Sequence, residues 1–242
     1  MKANAHWYIC TFPNFAFMSV NEQAYRQIST ALALKNVKLV AVSKTKPVPD
    51  IFELYNLGQR DFGENYVQEL AEKRLLLPHD IRWHFIGHLQ SNKVKYIAPF
   101  VHLIHSVDSF KLLKEINRQG MKYHRVIECL LQVHIAQEET KFGLNEQELD
   151  ELVSDLEKLN GTDQLLHIRI TGLMGMASFT GDEKKVRGEF EYLSSLFDKY
   201  SRHHTTNFHL QHLSMGMSTD YKIAIEEGSN MVRIGSLIFG AR

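Results

Sequence analysis

The sequence predicts an α/β protein, a single (β/α)8 TIM-type barrel. Three observations predict it. Eight short apolar runs alternate with helical stretches along 242 residues, and parallel strands need such crossover connections. The polar and glycine-rich clusters follow the apolar runs, at the end of the strands where barrels of this kind carry their chemistry. No linker, low-complexity tract or composition shift divides the chain. The alternative is an open doubly wound sheet. No G-x-G-x-x-G follows the first strand, which counts against its dinucleotide-binding form.

Taken in order, Asn21 caps a helix over Glu22–Leu34 with an apolar stripe at Ala24, Tyr25, Ile28, Ala31 and Leu32. The first strand is Val37–Ser43. A short helix over Asp50–Leu57 stops at Gly58. Arg60–Asn65 is a strand and its loop, Tyr66–Leu76 a helix ended by Pro78, and Ile81–Ile86 the third strand. Ser91 opens a helix through Tyr96, and Val101–His105 is the fourth strand. Ser109–Gly120 is helical and Arg125–Ile135 a longer strand. Asn145–Leu159 is a helix with Leu149, Leu152, Val153 and Leu156 on one face. Strand Leu165–Leu173, helix Asp182–Tyr200, strand Asn207–Leu213, helix Tyr221–Glu227 and strand Met231–Ile234 complete the series.

Composition sets the bounds. Apolar residues make up 44% and charged residues 23%, ordinary for a globular protein able to bury a sizeable core without staples. Lys+Arg and Asp+Glu are 28 each, a balance that argues against nucleic acid as the main partner. Cys10 and Cys129 form neither a metal-ligand spacing nor a disulfide framework, which points to a reducing, cytoplasmic compartment. No apolar run approaches a bilayer span. Residues 1–17 have little helical pattern and make a poor signal peptide. Met18-Ser19-Val20-Asn21-Glu22 reads as a fresh start. The expectation is an N-terminal extension over 1–17 and the barrel domain over 18–242.

The chemistry centres on Leu39-Val40-Ala41-Val42-Ser43-Lys44-Thr45-Lys46-Pro47. Side chains alternate along a strand, so Val40, Val42 and Lys44 share a face. In a partly apolar site a lysine loses its charge more easily and its neutral amine can form a Schiff base with an aldehyde. The other reading is a strand-end lysine whose head reaches solvent. Ser214-Met215-Gly216-Met217-Ser218 and Arg233-Ile234-Gly235-Ser236 suggest a phosphate cradle, since glycines let backbone amides approach an anion. For either loop alone, glycines serving only as turns explain the pattern as well. Arg233, in the last strand, offers donors but no acceptor. It suits either an unprotonated pyridine nitrogen or an interior carboxylate. His84 and His88 do not share a helix face, and no H-E-x-x-H or cysteine cluster is present, so no metal site is expected. No G-x-S-x-G supports a serine hydrolase.

The stretches LVAVSKTKP, FGENYVQEL, WHFIGHLQSNK, GLMGMA, LSMGMSTDY and VRIGSLIFGAR resemble the pyridoxal phosphate homeostasis proteins. The resemblance covers residues 20 to 242, in order. It implies a fold type III barrel that binds pyridoxal 5′-phosphate (PLP), like the N-terminal domain of alanine racemase. It implies Lys44 as the Schiff-base lysine. Ser218, Gly235 and Ser236 would bind the phosphate, helped by backbone amides around Met217. Arg233 would face the pyridine nitrogen, Asn65 would lie near the ring, Lys46 would be an accessory lysine, and His88 would line the site.

The resemblance further implies a cofactor carrier and regulator rather than an enzyme, one that hands PLP to apo-enzymes. Racemases of the related fold use a tyrosine base from a further domain, and this chain ends at Arg242, just after the eighth strand's loop. An unprotonated ring nitrogen is also a poorer electron sink. The expected partners are PLP and, transiently, apo-enzymes, with no nucleic acid and no membrane, and the expected state is a monomer. The alternatives are a weak PLP-dependent amino-acid racemase using the same Lys44, and a sugar-phosphate enzyme on the same barrel.

Overall fold

A computed structural model describes residues 20–136, 142–159, 165–203 and 205–240. The extension expected over residues 1–17 lies outside them. Eight parallel strands close into a barrel in sequence order. They are β1 Lys38–Val42, β2 Asp61–Glu64, β3 Arg82–Phe85, β4 Leu103–Val107, β5 Ile127–Gln132, β6 Ile168–Met174, β7 Phe208–Ser214 and β8 Met231–Ile234. The pairing of β1 with β8, Val40 beside Arg233 and Ala41 beside Ile234, closes the ring. That pairing rules out the open sheet.

The helices are α1 Glu22–Ala33, α2 Val48–Asn56, α3 Val67–Leu76, α4 Val94–Ile97, α5 Phe110–Lys122, α6 Glu146–Lys158, α7 Glu183–Tyr200, α8 Tyr221–Glu226 and α9 Ser236–Phe239. Side-chain caps start several of them. Asn21 accepts from the Ala24 N–H, and Asp182 from the Lys185 N–H. Asn145 and Glu148 form a reciprocal capping box on α6, which satisfies two amide donors that the helix itself leaves unpaired. Among the described residues no helix is long and apolar enough to cross a membrane.

Strand parity sorts the side chains. Leu39 and Ala41 of β1 belong to the large apolar cluster between strands and helices, with Trp83, Phe85, Phe190 and Phe208. Val40 points the other way. It meets Leu103, Leu130, Met174 and Met231, drawn from strands around the ring, contacts that only the barrel interior allows.

Element ends shift by up to three residues from the sequence expectation, as in β5, which spans Ile127–Gln132 and not Arg125–Ile135, and two departures have a visible cause. The fourth strand runs over Leu103–Val107, not Val101–His105. The Val101 N–H donates back to Ile97 at 2.8 Å, which prolongs the helical turn, and the ladder begins only at His102, whose N–H reaches Trp83 O at 2.9 Å. Helix α9 was not foreseen, because four residues are too few to show a helical period. It ties the ends of the barrel together: the Asn21 N–H donates to Ile238 O at 2.7 Å.

Candidate functional site

A cavity of ≈ 270 Å³ opens at the carboxyl end of the strands. The structure brings Lys44, Asn65, Met217, Ser218, Arg233, Gly235 and Ser236 to its wall. Val42 and Lys44 face it together, although β1 ends at Val42 and Lys44 already lies in a turn. The alternation therefore survives one step beyond the strand.

That turn is held from outside. The Ser43 hydroxyl donates to Glu64 Oε1 at 2.6 Å, and Lys73 of α3 donates to Ser43 O, Glu64 and Glu69, each at 2.7 Å. The Thr45 N–H donates to Glu69 Oε1 at 2.6 Å. Thr45 sits at φ 63, a left-handed conformation that costs a β-branched residue energy and persists only where its surroundings impose it. Both neighbours of Lys44 are thus pinned to α3. Burial pushes the Glu64 carboxyl up, against the pull of Lys73 and Ser43. Lys46 also reaches the cavity, and its ammonium donates to Phe239 O at 2.8 Å.

The cradle is built from the loops after β7 and β8. Gly216 has φ +94, and a Cβ there would lie 2.6 Å from Ala224 Cβ and 2.9 Å from Tyr221 Cα. Only glycine lets the loop turn so tightly onto α8. A Cβ at Gly235 would come 3.0 Å from Val42 O, so glycine keeps this loop against the end of β1. Ser218 Oγ accepts from the Gly235 N–H at 3.2 Å, which joins the two loops. The Met217 N–H donates to Asp220 Oδ1 at 2.5 Å. That amide already has an acceptor in the protein.

Arg233 forms the floor. It is 4% exposed. Its Nη1 donates to Ser214 O at 2.8 Å and Ser214 Oγ at 2.6 Å, and its Nη2 to Gly175 O at 2.9 Å. Its acceptors are carbonyls and a hydroxyl, not the interior carboxylate that the sequence left open. Burial brings its pKa down to about 10, and Asp220 opposes the fall. Arg233 is therefore a cation at neutral pH. On the same cavity wall, Asn65 Oδ1 is buried with no hydrogen-bond partner among the described residues. Of the buried polar atoms without a partner among the described residues, it belongs to a residue that lines the cavity, where a ligand or a water can meet it.

His88 does not line the cavity. It pairs with Asp108 at 3.3 Å and stacks on Phe142, ring centroids 4.0 Å apart. Ser214, read in sequence as part of the phosphate loop, instead ends β7 beneath Arg233. Sequence reasoning missed Ile86, Met176, Phe179 and Thr219 on the cavity wall. Met176 follows Gly175 in the GLMGMA stretch, and that glycine-flanked position was its one signal. Asp61, His84 and His102 come together with ligand atoms within 4.8 Å of one another. Both oxygens of Asp61 are engaged by Arg82 and one by His84, whose second nitrogen meets His105.

The family model of the alanine racemase N-terminal domain matches residues 21–242. The pyridoxal phosphate homeostasis protein of Aquifex aeolicus is 43% identical over 206 residues, covering 85% of this chain and 87% of that protein. The solved structure of PipY from Synechococcus elongatus PCC7942, with PLP bound, has a TM-score of 0.80 at 32% identity. It covers 90% of this chain and 99% of that one. Alanine racemase from Streptomyces coelicolor shares the fold, with a TM-score of 0.69 at 14% identity over 90% of this chain and 58% of its own. The chain therefore belongs to the alanine racemase N-terminal domain family and, within it, to the pyridoxal phosphate homeostasis proteins.

Proposed function

We propose that this protein binds PLP in the cavity at the mouth of the barrel and serves PLP homeostasis as a carrier rather than an enzyme. One observation carries the reading. A lysine, a buried arginine and a serine–glycine cradle converge on a single ≈ 270 Å³ cavity. PLP presents an aldehyde, a ring nitrogen and a phosphate, one group for each. When bound, it supplies an aldehyde that the Lys44 amine holds covalently. Asn65 Oδ1 would accept a hydrogen bond from a polar substituent of the ring. Arg233 donates to the ring nitrogen and, being charged, keeps it unprotonated. Ser218 and Ser236 offer hydroxyls to the phosphate, and Gly235 lets the backbone close on it.

The carrier reading rests on what surrounds Lys44. Among the described residues, the wall carries no tyrosine or histidine to serve as a second base. Proton movement at a bound amino acid would fall to lysines alone. We place the protein in the cytoplasm, as a monomer that meets apo-enzymes transiently.

The first test is the visible spectrum of the protein with PLP, before and after borohydride. The expected result is a band that reduction fixes to Lys44. The second test compares reactivation of a PLP-dependent apo-enzyme by the loaded protein and by free PLP at equal concentration. Faster reactivation by the loaded protein supports delivery. An equal or slower rate removes delivery from the proposal, and useful exchange of amino-acid α-protons would turn it toward an enzyme.

A further inference from the structure

The barrel interior holds a row of polar groups that the binding reading does not use. Asp61 opens β2 at the amino end of the barrel, and Ser214 closes β7 at the carboxyl end. Between them lie His84 and His105, both fully buried. The contacts are continuous. Asp61 Oδ1 is 2.9 Å from His84 Nε2, His84 Nδ1 is 2.9 Å from His105 Nε2, and His105 Nδ1 is 3.1 Å from Ser214 Oγ. Ser214 Oγ is 2.6 Å from Arg233 Nη1.

Donor and acceptor chemistry leaves one proton arrangement. The Asp61 carboxylate can only accept, so a neutral His84 donates to it through Nε2–H and accepts at Nδ1. That makes His105 donate through Nε2–H and accept at Nδ1 from the Ser214 hydroxyl, while the Ser214 oxygen accepts from Arg233. The carboxylate, held by Arg82 through Nε at 2.8 Å and Nη2 at 2.5 Å, ends the row. Every bond points from the cation toward the anion. Aligned bonds in a low-dielectric interior polarise and strengthen one another, and Arg233 has no carboxylate among its hydrogen-bond acceptors.

We infer that Asp61, His84, His105 and Ser214 are positioning residues, a one-way hydrogen-bond chain across the barrel that holds the Arg233 guanidinium charged and aimed at the cavity. The chain's effect on a ligand rests on the proposal that Arg233 meets the PLP ring nitrogen. The row also accounts for the Asp61–His84–His102 grouping without a metal, because the ligand atoms of Asp61 and His84 already bind each other.

Two measurements test the chain separately from the PLP reading. In the cofactor-free protein, ¹⁵N spectra should show His84 and His105 neutral at pH 7 with the proton on Nε2. Asp61→Asn leaves one amide oxygen where Arg82 Nε, Arg82 Nη2 and His84 Nε2 all donate, so the preference of both rings for the proton on Nε2 should weaken. A parent with either proton on Nδ1, or with either ring doubly protonated, overturns the chain. The second measurement compares affinity for PLP with affinity for its 1-deaza analogue, which has C–H in place of the ring nitrogen. The parent should prefer PLP. Asp61→Asn and, independently, Ser214→Ala should shrink that preference by about tenfold, the scale of a weakened charged hydrogen bond. Equal weakening of both ligands would mark a merely structural role and overturn the inference. A parent that binds no PLP strikes the binding reading, and the tautomers alone then judge the chain.

Discussion

The two sides of the barrel wall contrast sharply. Outside, between strands and helices, lies a continuous apolar shell that includes Trp83, Phe85, Phe190, Phe208 and Tyr200. Inside, the apolar residues are few: Val40, Leu103, Leu130, Met174 and Met231, with Met176 packed against them. Beside them runs the polar row from Asp61 to Arg233. The shell is built from non-directional contacts and tolerates apolar exchanges that keep its volume and pattern. The row is directional, since each group fixes the next, and one wrong proton disturbs all of it. Stability is concentrated in the shell, and geometry at the cavity is set by the interior.

Substitutions can break that division or sharpen it. The largest expected effect is at the mouth. Lys44→Ala should abolish the borohydride-fixed PLP adduct while thermal unfolding stays near that of the parent. A retained adduct would move the anchor to Lys46, which faces the same cavity. Next comes the shell. Phe190 is fully buried, and Phe190→Ala should cost about 3–5 kcal/mol in a denaturant titration with little change in PLP affinity at low temperature. A matching collapse of affinity would show that shell and interior are not separable.

A third effect belongs to the interior alone. Burial brings His84 down from its ordinary 6.5 to about 4 and places His105 well below its usual range. The unfolded chain then binds more protons than the folded one between those values. Stability should fall as pH drops from 6.5 toward 4, by on the order of 2–3 kcal/mol for His84. Asp61, held well below the ordinary carboxylate range by Arg82 and His84, adds a further loss below about pH 4. The urea midpoint against pH measures this, and His84→Gln should flatten the upper part of the curve. The smallest effect is Ser218→Ala. It removes one hydroxyl from the cradle and one acceptor from Gly235, and should weaken PLP binding several-fold, or about 1 kcal/mol.

The same contrast explains what could be read in the sequence. The shell was legible because each strand carries its outer residues in an apolar run and each helix its stripe at 3.6-residue spacing. Lys44 was legible for a related reason: parity carried from Val40 through Val42 places it on the interior side. The cradle glycines and serines stood together in two short runs. The interior row was not legible. Asp61, His84, His105 and Ser214 come from four strands, well separated along the chain. No local pattern links them, since only the closed ring of strands brings them into line. His88 shows the converse. It stood inside a recognisable motif, yet its ring turned to Asp108 and Phe142 instead of the cavity.

The pairing of β1 with β8 also has a bearing on synthesis. Lys44 and Asn65 leave the ribosome early, whereas the cradle and Arg233 come from residues 216–236. Translation proceeds at roughly 5–20 residues per second, so the lysine is exposed to the cell for about ten seconds or more before its floor exists. During that interval the nascent chain lacks the loops after β7 and β8 and the Arg233 guanidinium that line the cavity. Any chain halted before Met231 lacks β8 altogether and cannot close the ring of strands. The closed cavity therefore arrives only with the last strand.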